Sequence, residues 1–279
     1  MKLDERVING LMIVGLLALP LWAVVVDEPF TITLVTRAVI LALAAVGLNI
    51  ILGFGGMVSF GHAAFFGIGG YAMGILAYHA QTYTALDLGF ASFGGTKTMP
   101  LIWLTAMVFS ALVALLIGLL SLRTSGVYFI MITLAFGQMF FYFAISWSQY
   151  GGEDGLSIYI RNDFPGLNTL VPIQFFAICF TVLCVVLFLV ARLRASPFGL
   201  ALNAARQSTI RVETMGMDPM RLKLVAFVLS GAVTGLAVIL SSRVEPADRL
   251  DRSVAVMTCS IIAVDARANS AMPSFVRAA

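Results

Sequence analysis

Charged residues are scarce in this sequence of 279 residues, which holds 17 Lys and Arg and 14 Asp and Glu. By contrast, 60% of the residues are hydrophobic and the mean hydropathy is +0.99. A soluble domain could not cover so much apolar surface with so few charged side chains. The net charge of +3 is small, so nucleic acid is not an expected partner. The composition therefore predicts an integral membrane protein.

Cysteine and histidine are also few, which limits the chemistry that the chain can carry. Cys179 and Cys184 lie within one apolar run, and Cys259 stands alone. This spacing offers neither a disulfide framework nor a metal site. We interpret the three cysteines as small apolar residues inside the protein.

Long apolar runs make up most of the chain up to residue 242. We predict about seven membrane spans, because helices of about 20 apolar residues cross the hydrocarbon core of a bilayer. The first run is interrupted by Pro20 and ends at the acidic pair Asp27 and Glu28. The predicted spans are 10–26, 32–52, 58–78, 100–121, 127–147, 171–191 and 222–241.

A glycine-rich stretch, residues 47–74, interrupts this pattern with nine glycines among apolar and aromatic residues. Each glycine weakens a helix by about 1 kcal/mol. A broken membrane helix is tolerated only where protein or a water-filled cavity satisfies the freed backbone groups, so we expect a translocation path here. The predicted fold is an all-α, polytopic transmembrane helix bundle with a broken, glycine-rich membrane segment. The predicted path residues are Gly53, Gly55, Gly56, Ser59, His62 and Gln138.

Alternatives stay open for three of these residues. A hydrogen bond between helices would equally explain Gln138. Ser59 and His62 are the one pair that could serve an intramembrane enzyme as nucleophile and base. A secondary transporter of a small solute is a further alternative, although it normally needs an intramembrane acid. The predicted spans from the second to the seventh contain no Asp or Glu.

Basic residues indicate which ends of the spans face the cytoplasm. Residues 192–223 hold eight charged residues, six of them basic, so this loop is predicted to be cytoplasmic. Alternation of the spans then places the N-terminus in the cytoplasm as well. Ser196 before Pro197 and Asp218 before Pro219 are helix-capping patterns. The loop should therefore contain a short helix, a turn and a second short helix.

Residues 243–279 differ from the rest of the chain. Nine of these 37 residues are charged, and the apolar run 254–264 is too short to span a membrane as a helix. We interpret the segment as an atypical tail. Three explanations of this segment stay open: a native soluble element, a shifted reading frame and a truncation.

Four motifs in order resemble one protein family. They are LNIILGFGGMVSFGHAAFFGIGGYAMG at 48–74, GVYFIMITLAFGQM at 126–139, GGEDGL at 151–156, and residues 196–236 with SPFG and MGMDPMRLKLVAFVLSGAVTG. Together they resemble the permease subunits of branched-chain amino acid ABC importers, specifically the M-type of the two permeases. The resemblance covers about residues 1–240, so residues 1–242 would form the permease domain.

The resemblance implies a transport function without catalysis. It implies a permease that moves branched-chain, hydrophobic amino acids across the bacterial inner (plasma) membrane into the cytoplasm. The implied partners are a second related permease, two cytoplasmic ABC ATPase subunits, a periplasmic or extracellular amino-acid-binding protein and membrane lipid. The ATPase would use ATP and Mg, so no cofactor, metal or nucleotide site is expected in this chain.

The resemblance also gives residues 192–221 a role as the coupling loop that docks on the ATPase. Of the family's docking pattern, which often reads Glu-Ala-Ala and then Gly, this chain matches at Met215 and Gly216. The expected ATPase-docking residues are Pro197, Ala204, Ala205, Glu213, Met215 and Gly216.

Overall fold

The computed structural model describes residues 14–20, 22–23, 26, 29–82, 85–87, 92–94, 99–147 and 171–241. Residues 14–20 are helical and are called α1. The rest of the predicted first span lies largely outside the described residues, as do the GGEDGL motif and the tail 243–279. The other elements, in order, are α2 Pro29–Asn49, a π-helical turn Ile50–Phe54, α3 His62–Thr82, β1 Ala85–Asp87, β2 Ser92–Gly94, α4 Met99–Ser121, α5 Val127–Ser146, α6 Pro172–Ala195, α7 Pro197–Gln207, α8 Thr209–Thr214 and α9 Pro219–Ser241.

Six helices of the described chain are long and apolar enough to cross a membrane: α2 with its π-helical turn, α3, α4, α5, α6 and α9. The predicted all-α polytopic bundle is thereby confirmed. The third helix begins at His62, four residues after the start of the predicted span 58–78, because residues 55–61 are not helical. Between α3 and α4, β1 and β2 form a short antiparallel hairpin.

Helix α9 is the centre of the bundle and packs against α2, α3 and α4. Small residues bring α4 close to it. A Cβ added at Gly231 would lie 2.7 Å from the Cβ of Ala114, and one at Gly235 would lie 2.6 Å from the Cβ of Ser110. Ser110 also donates a 2.7 Å hydrogen bond to the Gly231 carbonyl. The small-xxx-small spacing in the last span therefore forms a close helix contact, as such spacings do in membranes.

Helices α5 and α6 lie at the edge of the bundle. Helix α6 packs on α2, whereas α5 touches α3 and α4. Phe129 and Thr133 are the buried residues of α5, and most of its other apolar side chains are exposed. The short connection 122–126 makes α4 and α5 antiparallel neighbours.

A tight corner joins α6 to α7. Ser196 caps α7 by accepting a 3.3 Å hydrogen bond from the Gly199 amide, and its hydroxyl donates to the Leu193 carbonyl at 2.6 Å. A Cβ at Gly199 would overlap the Leu193 carbonyl oxygen, so a larger residue could not replace this glycine without opening the corner. Helix α7 is therefore held firmly against the end of α6.

The end of α8 is also defined by its backbone. Gly216 has φ +80, its amide donates to the Glu213 carbonyl at 2.9 Å, and the Met217 amide donates to the Val212 carbonyl at 3.2 Å. These bonds form a Schellman motif, which terminates a helix. Asp218 then caps α9 by accepting from the Met220 amide at 3.0 Å. The predicted pair of short helices, with both capping residues, is confirmed.

We expect Gly235→Ala to lower the stability of the bundle, because the added methyl group would press α9 away from Ser110. Overpacking of this kind costs about 1–3 kcal/mol, and the melting temperature of the detergent-solubilised protein should fall by about 2–4 °C for each kcal/mol. Gly67→Ala is the control, since a Cβ there meets no atom within 4 Å. Equal melting temperatures for the two variants would contradict the close contact of α4 and α9.

Candidate functional site

The chain between α2 and α3 loses its helical conformation inside the bundle. Helix α2 widens into the π-helical turn 50–54, and residues 55–61 are non-helical. We call residues 50–61 the break. At its far end His62 contacts Ser230, which lies 11 residues into α9. At about 1.5 Å per residue, this contact is about 16 Å along α9. The break therefore reaches about halfway into the bundle.

The glycines of the break occupy places where a larger residue would collide with a neighbour. A Cβ at Gly53 would overlap the side-chain oxygen of Asn49, and one at Gly55 would lie 2.7 Å from the Ile51 carbonyl oxygen. Gly56 has φ +64, in the region that glycine favours. A larger residue at Gly53, Gly55 or Gly56 would therefore force the backbone of the break to change its conformation.

Helix α5 closes over the other end of the break. A Cβ at Gly61 would lie 2.9 Å from the carbonyl oxygen of Thr133, and one at Gly137 would lie 3.9 Å from the Cα of Gly61. The Gly61 backbone is therefore buried beneath α5. One helix separates this part of the break from the outside of the described bundle.

Several polar groups of the break have no partner in the described part of the chain. The Met57 amide donates to the Ile51 carbonyl at 3.2 Å and the Ala64 amide to the Gly61 carbonyl at 3.0 Å, but no backbone hydrogen bond is donated by the amides of 58–61. The Ser59 hydroxyl is buried and also unpaired. Buried polar groups without partners are costly, so this stretch favours contact with water or with a polar solute.

His62 is fixed in a buried chain of hydrogen bonds. Its Nε2 lies 2.7 Å from the hydroxyl of Ser230, and that hydroxyl donates to the Gly47 carbonyl at 2.6 Å. Because the Ser230 proton is used in this way, the network assigns Nε2 of His62 as the donor. The rings of Phe65 and Phe227 stand edge-on to the imidazole, at centroid distances of 5.3 and 5.9 Å. His62 therefore joins α3, α9 and α2.

This geometry gives little support to the enzyme alternative. A nucleophile and its base must lie within hydrogen-bond reach, but the imidazole of His62 bonds Ser230 and the Ser59 hydroxyl has no hydrogen-bond partner among the described residues. Ser230 itself is fully buried and gives its proton to a backbone carbonyl. The arrangement is that of a structural histidine.

Gln138 lies apart from the other predicted path residues. It follows Gly137, which approaches the break, but its own side chain is exposed on the outer side of α5. Within the described chain it does not line an internal path beside Ser59 and His62. A path role for Gln138 would need a second protein against α5.

Most of the predicted docking residues are exposed. Pro197, Ala204, Glu213, Met215 and Gly216 are exposed, whereas Ala205 is buried against the bundle. Between α7 and α8 is a cavity of about 360 Å³. Its lining residues are Ala204, Gln207, Ser208, Arg211, Val212 and Met215.

The structure also joins α7 to the break through Arg206, which we did not predict. The Arg206 guanidinium donates a hydrogen bond to the Gly53 carbonyl, and its side-chain stem lies against Gly56. The two partners are 153 residues apart, and Ser230 and Gly47 are 183 apart. No local pattern in the sequence marks such pairs.

Comparison with known proteins places residues 30–265 within a family profile described as "Branched-chain amino acid transport system / permease component". The chain is 27% identical over 254 residues to the high-affinity branched-chain amino acid transport system permease protein LivM of Escherichia coli K12. It is 26% identical over 253 residues to the protein of the same name from Salmonella typhimurium LT2. No solved structure matches the chain.

These alignments cover 81% and 80% of this chain and 56% of each relative. The chain therefore spans about half the length of the curated relatives it matches. The family match also includes residues 243–265, which belong to the segment that we interpreted as an atypical tail.

We expect Ser230→Ala to destabilise the protein, since it leaves the buried Nε2 of His62 without its acceptor. An unsatisfied buried polar group costs about 1–3 kcal/mol. Ser121→Ala is the matched control, because Ser121 is equally buried but its hydroxyl bonds the Ile117 carbonyl of its own helix. Thermal unfolding in detergent should separate the variants. A larger loss in Ser121→Ala would refute the bridging role of Ser230.

Proposed function

We propose that this chain, which belongs to the family of branched-chain amino acid transport system permease components, is the M-type permease subunit of an ABC importer. It would move branched-chain, hydrophobic amino acids into the cytoplasm. The family match over residues 30–265 is the observation that carries the proposal. The chain would act in a bacterial inner membrane, with its N-terminus in the cytoplasm.

The proposed partners are those of an ABC importer. A second related permease would complete the membrane part, and a periplasmic or extracellular binding protein would deliver the amino acid. Two cytoplasmic ATPase subunits would bind the ATP and Mg. None of the six long helices contains Asp or Glu, so the described chain offers no intramembrane carboxylate for a coupling ion. This supports an importer that is driven by a separate ATPase subunit over a secondary transporter.

We propose that the break forms part of the translocation path. Amino acids carry a charged carboxylate and a charged amine, which cannot cross lipid without polar contacts. In the part of the chain that the structure describes, the amides of 58–61 donate no backbone hydrogen bond and the Ser59 hydroxyl has no partner, so polar groups are available at about the middle of the bundle. Gly53, Gly55 and Gly56 shape the backbone and His62 supports it. Gln138 would contribute from the outer side of α5, where the second permease would complete the path.

We further propose that α7 and α8 dock on the ATPase. The segment 192–223 carries six basic and two acidic residues, which supports a cytoplasmic position by the positive-inside rule. The cavity of about 360 Å³ is lined by residues of both helices, including the exposed Ala204, Gln207 and Arg211, and offers a concave contact surface. The tight corner at Ser196 would carry movement of α7 into α6.

Replacing both Gly55 and Gly56 with Leu should abolish amino-acid uptake while membrane insertion is kept. The Leu at 55 would collide with the Ile51 carbonyl, and the Leu at 56 would combine a strained φ with a collision against Arg206. Uptake of radiolabelled leucine by whole cells measures the first effect, and the amount of permease in washed membranes measures the second.

Gly126→Leu is the control for these glycine substitutions. Gly126 has φ +65, so Leu is strained there as well, but a Cβ there meets no atom within 4 Å. This variant should keep most of its uptake. Unchanged uptake in the Gly55 and Gly56 variant would reject the placement of the path at the break.

Cysteines introduced at Ala204 and Thr214 should crosslink to the ATPase, and the yield should change when ATP is added. Ala205→Cys should not crosslink, because Ala205 faces the bundle although it is adjacent in sequence. A background without Cys179, Cys184 and Cys259 keeps the reaction specific. Labelling of these positions by an impermeant thiol reagent from outside the cell would show that the proposed topology is wrong.

A further inference from the structure

We propose that Arg206 is a positioning residue that transmits movement of α7 to the break. The inference rests on the proposed function, because it takes α7 as the ATPase-docking helix and the break as part of the path. The two regions are separated in sequence by four membrane-spanning helices, but they touch in the folded chain, where Arg206 contacts Gly53 and Gly56. The contact has two parts, one polar and one steric.

The polar part of the contact is a hydrogen bond to the Gly53 carbonyl, at the end of the π-helical turn. Gly53 lies in the π-helical turn that ends at Phe54, and carbonyl groups in the last turn of a helix have no partner within that helix. A positive side chain is favoured at this end of a helix by the aligned peptide dipoles. The Arg206 guanidinium donates to the Gly53 carbonyl and so satisfies it.

The steric part is the contact of the side-chain stem with Gly56. A Cβ at Gly56 would lie 2.6 Å from Cγ, 3.1 Å from Cδ and 3.3 Å from Nε of Arg206. The stem therefore rests directly on the Gly56 backbone. Movement of α7 towards the break pushes on Gly56, and movement away from it pulls on the Gly53 carbonyl. The link therefore works in both directions.

Helix α7 and the break differ in stiffness, and this difference determines which of them deforms when α7 moves. Helix α7 is capped by Ser196, fixed to α6 at Gly199, and buried along Leu202 and Ala205. The break has few such restraints among the described residues, since the amides of 58–61 donate no backbone hydrogen bond there. A displacement of α7 should therefore deform the break before it deforms α7 itself.

The test uses the complete complex of permease, ATPase and binding protein in proteoliposomes, with amino-acid uptake and ATP hydrolysis measured together. Arg206→Ala should lower uptake per ATP hydrolysed by about tenfold, as expected for loss of a charge-assisted hydrogen bond. Arg206→Lys should be intermediate, because lysine keeps the charge and the stem but not the planar guanidinium. Arg123→Ala is the control, since it removes an exposed arginine in the connection between α4 and α5, outside the coupling loop.

Two cysteine probes separate this inference from the proposed function. Ala204→Cys reports docking through its crosslink to the ATPase, and Ser59→Cys reports movement of the break through ATP-dependent labelling. With Arg206 present both should respond to ATP. With Arg206→Ala the crosslink should persist while labelling at Ser59→Cys stops responding.

Each other outcome counts against one proposal. A missing crosslink with Arg206 present would overturn the docking role of α7. It would also overturn the inference, which takes α7 as the docking helix. A crosslink lost together with Arg206 would overturn the inference, because Arg206 would then only maintain the fold of α7. Normal uptake per ATP and normal labelling in Arg206→Ala would overturn it as well, with docking unaffected.

Discussion

Unpaired peptide groups inside an apolar bundle are the constraint on which the rest of this structure depends. In hydrocarbon each unsatisfied amide or carbonyl costs several kcal/mol, so the break between α2 and α3 cannot face lipid. The protein encloses it: α5 packs on Gly61, and Arg206 from α7 binds the Gly53 carbonyl. Within the described chain the amides of 58–61 donate no backbone hydrogen bond. A polar solute could supply the partners that these buried groups need.

Helix α9 makes this enclosure possible because one side of it carries small polar and glycine residues. Ser230 links His62 of α3 to Gly47 of α2, and Gly231 and Gly235 admit α4. Hydrophobic association cannot drive helices together in lipid, so close packing and interhelical hydrogen bonds take its place. Three helices are thus held around the point where α3 begins.

Sequence reasoning predicted the features whose causes are local. Apolar runs marked the spans, and Ser196 and Asp218 marked the caps of α7 and α9 because a capping side chain acts within three residues. The strands of the hairpin are three residues long, too short for an alternating pattern to be recognised. The glycines of the break were identified by composition. Arg206 and Ser230 were missed, since their partners are brought near only by the fold.

Gln138 shows why a path predicted from sequence is incomplete in one chain. Helix α5 is apolar on every side, so periodicity could not tell its packed face from its open face. The packed face meets the break at Gly61, and the open face presents Gln138 among exposed apolar side chains. A carboxamide in the middle of a lipid-facing helix is unfavourable. Under the proposed function the second permease would cover this face and supply a polar partner for the Gln138 side chain.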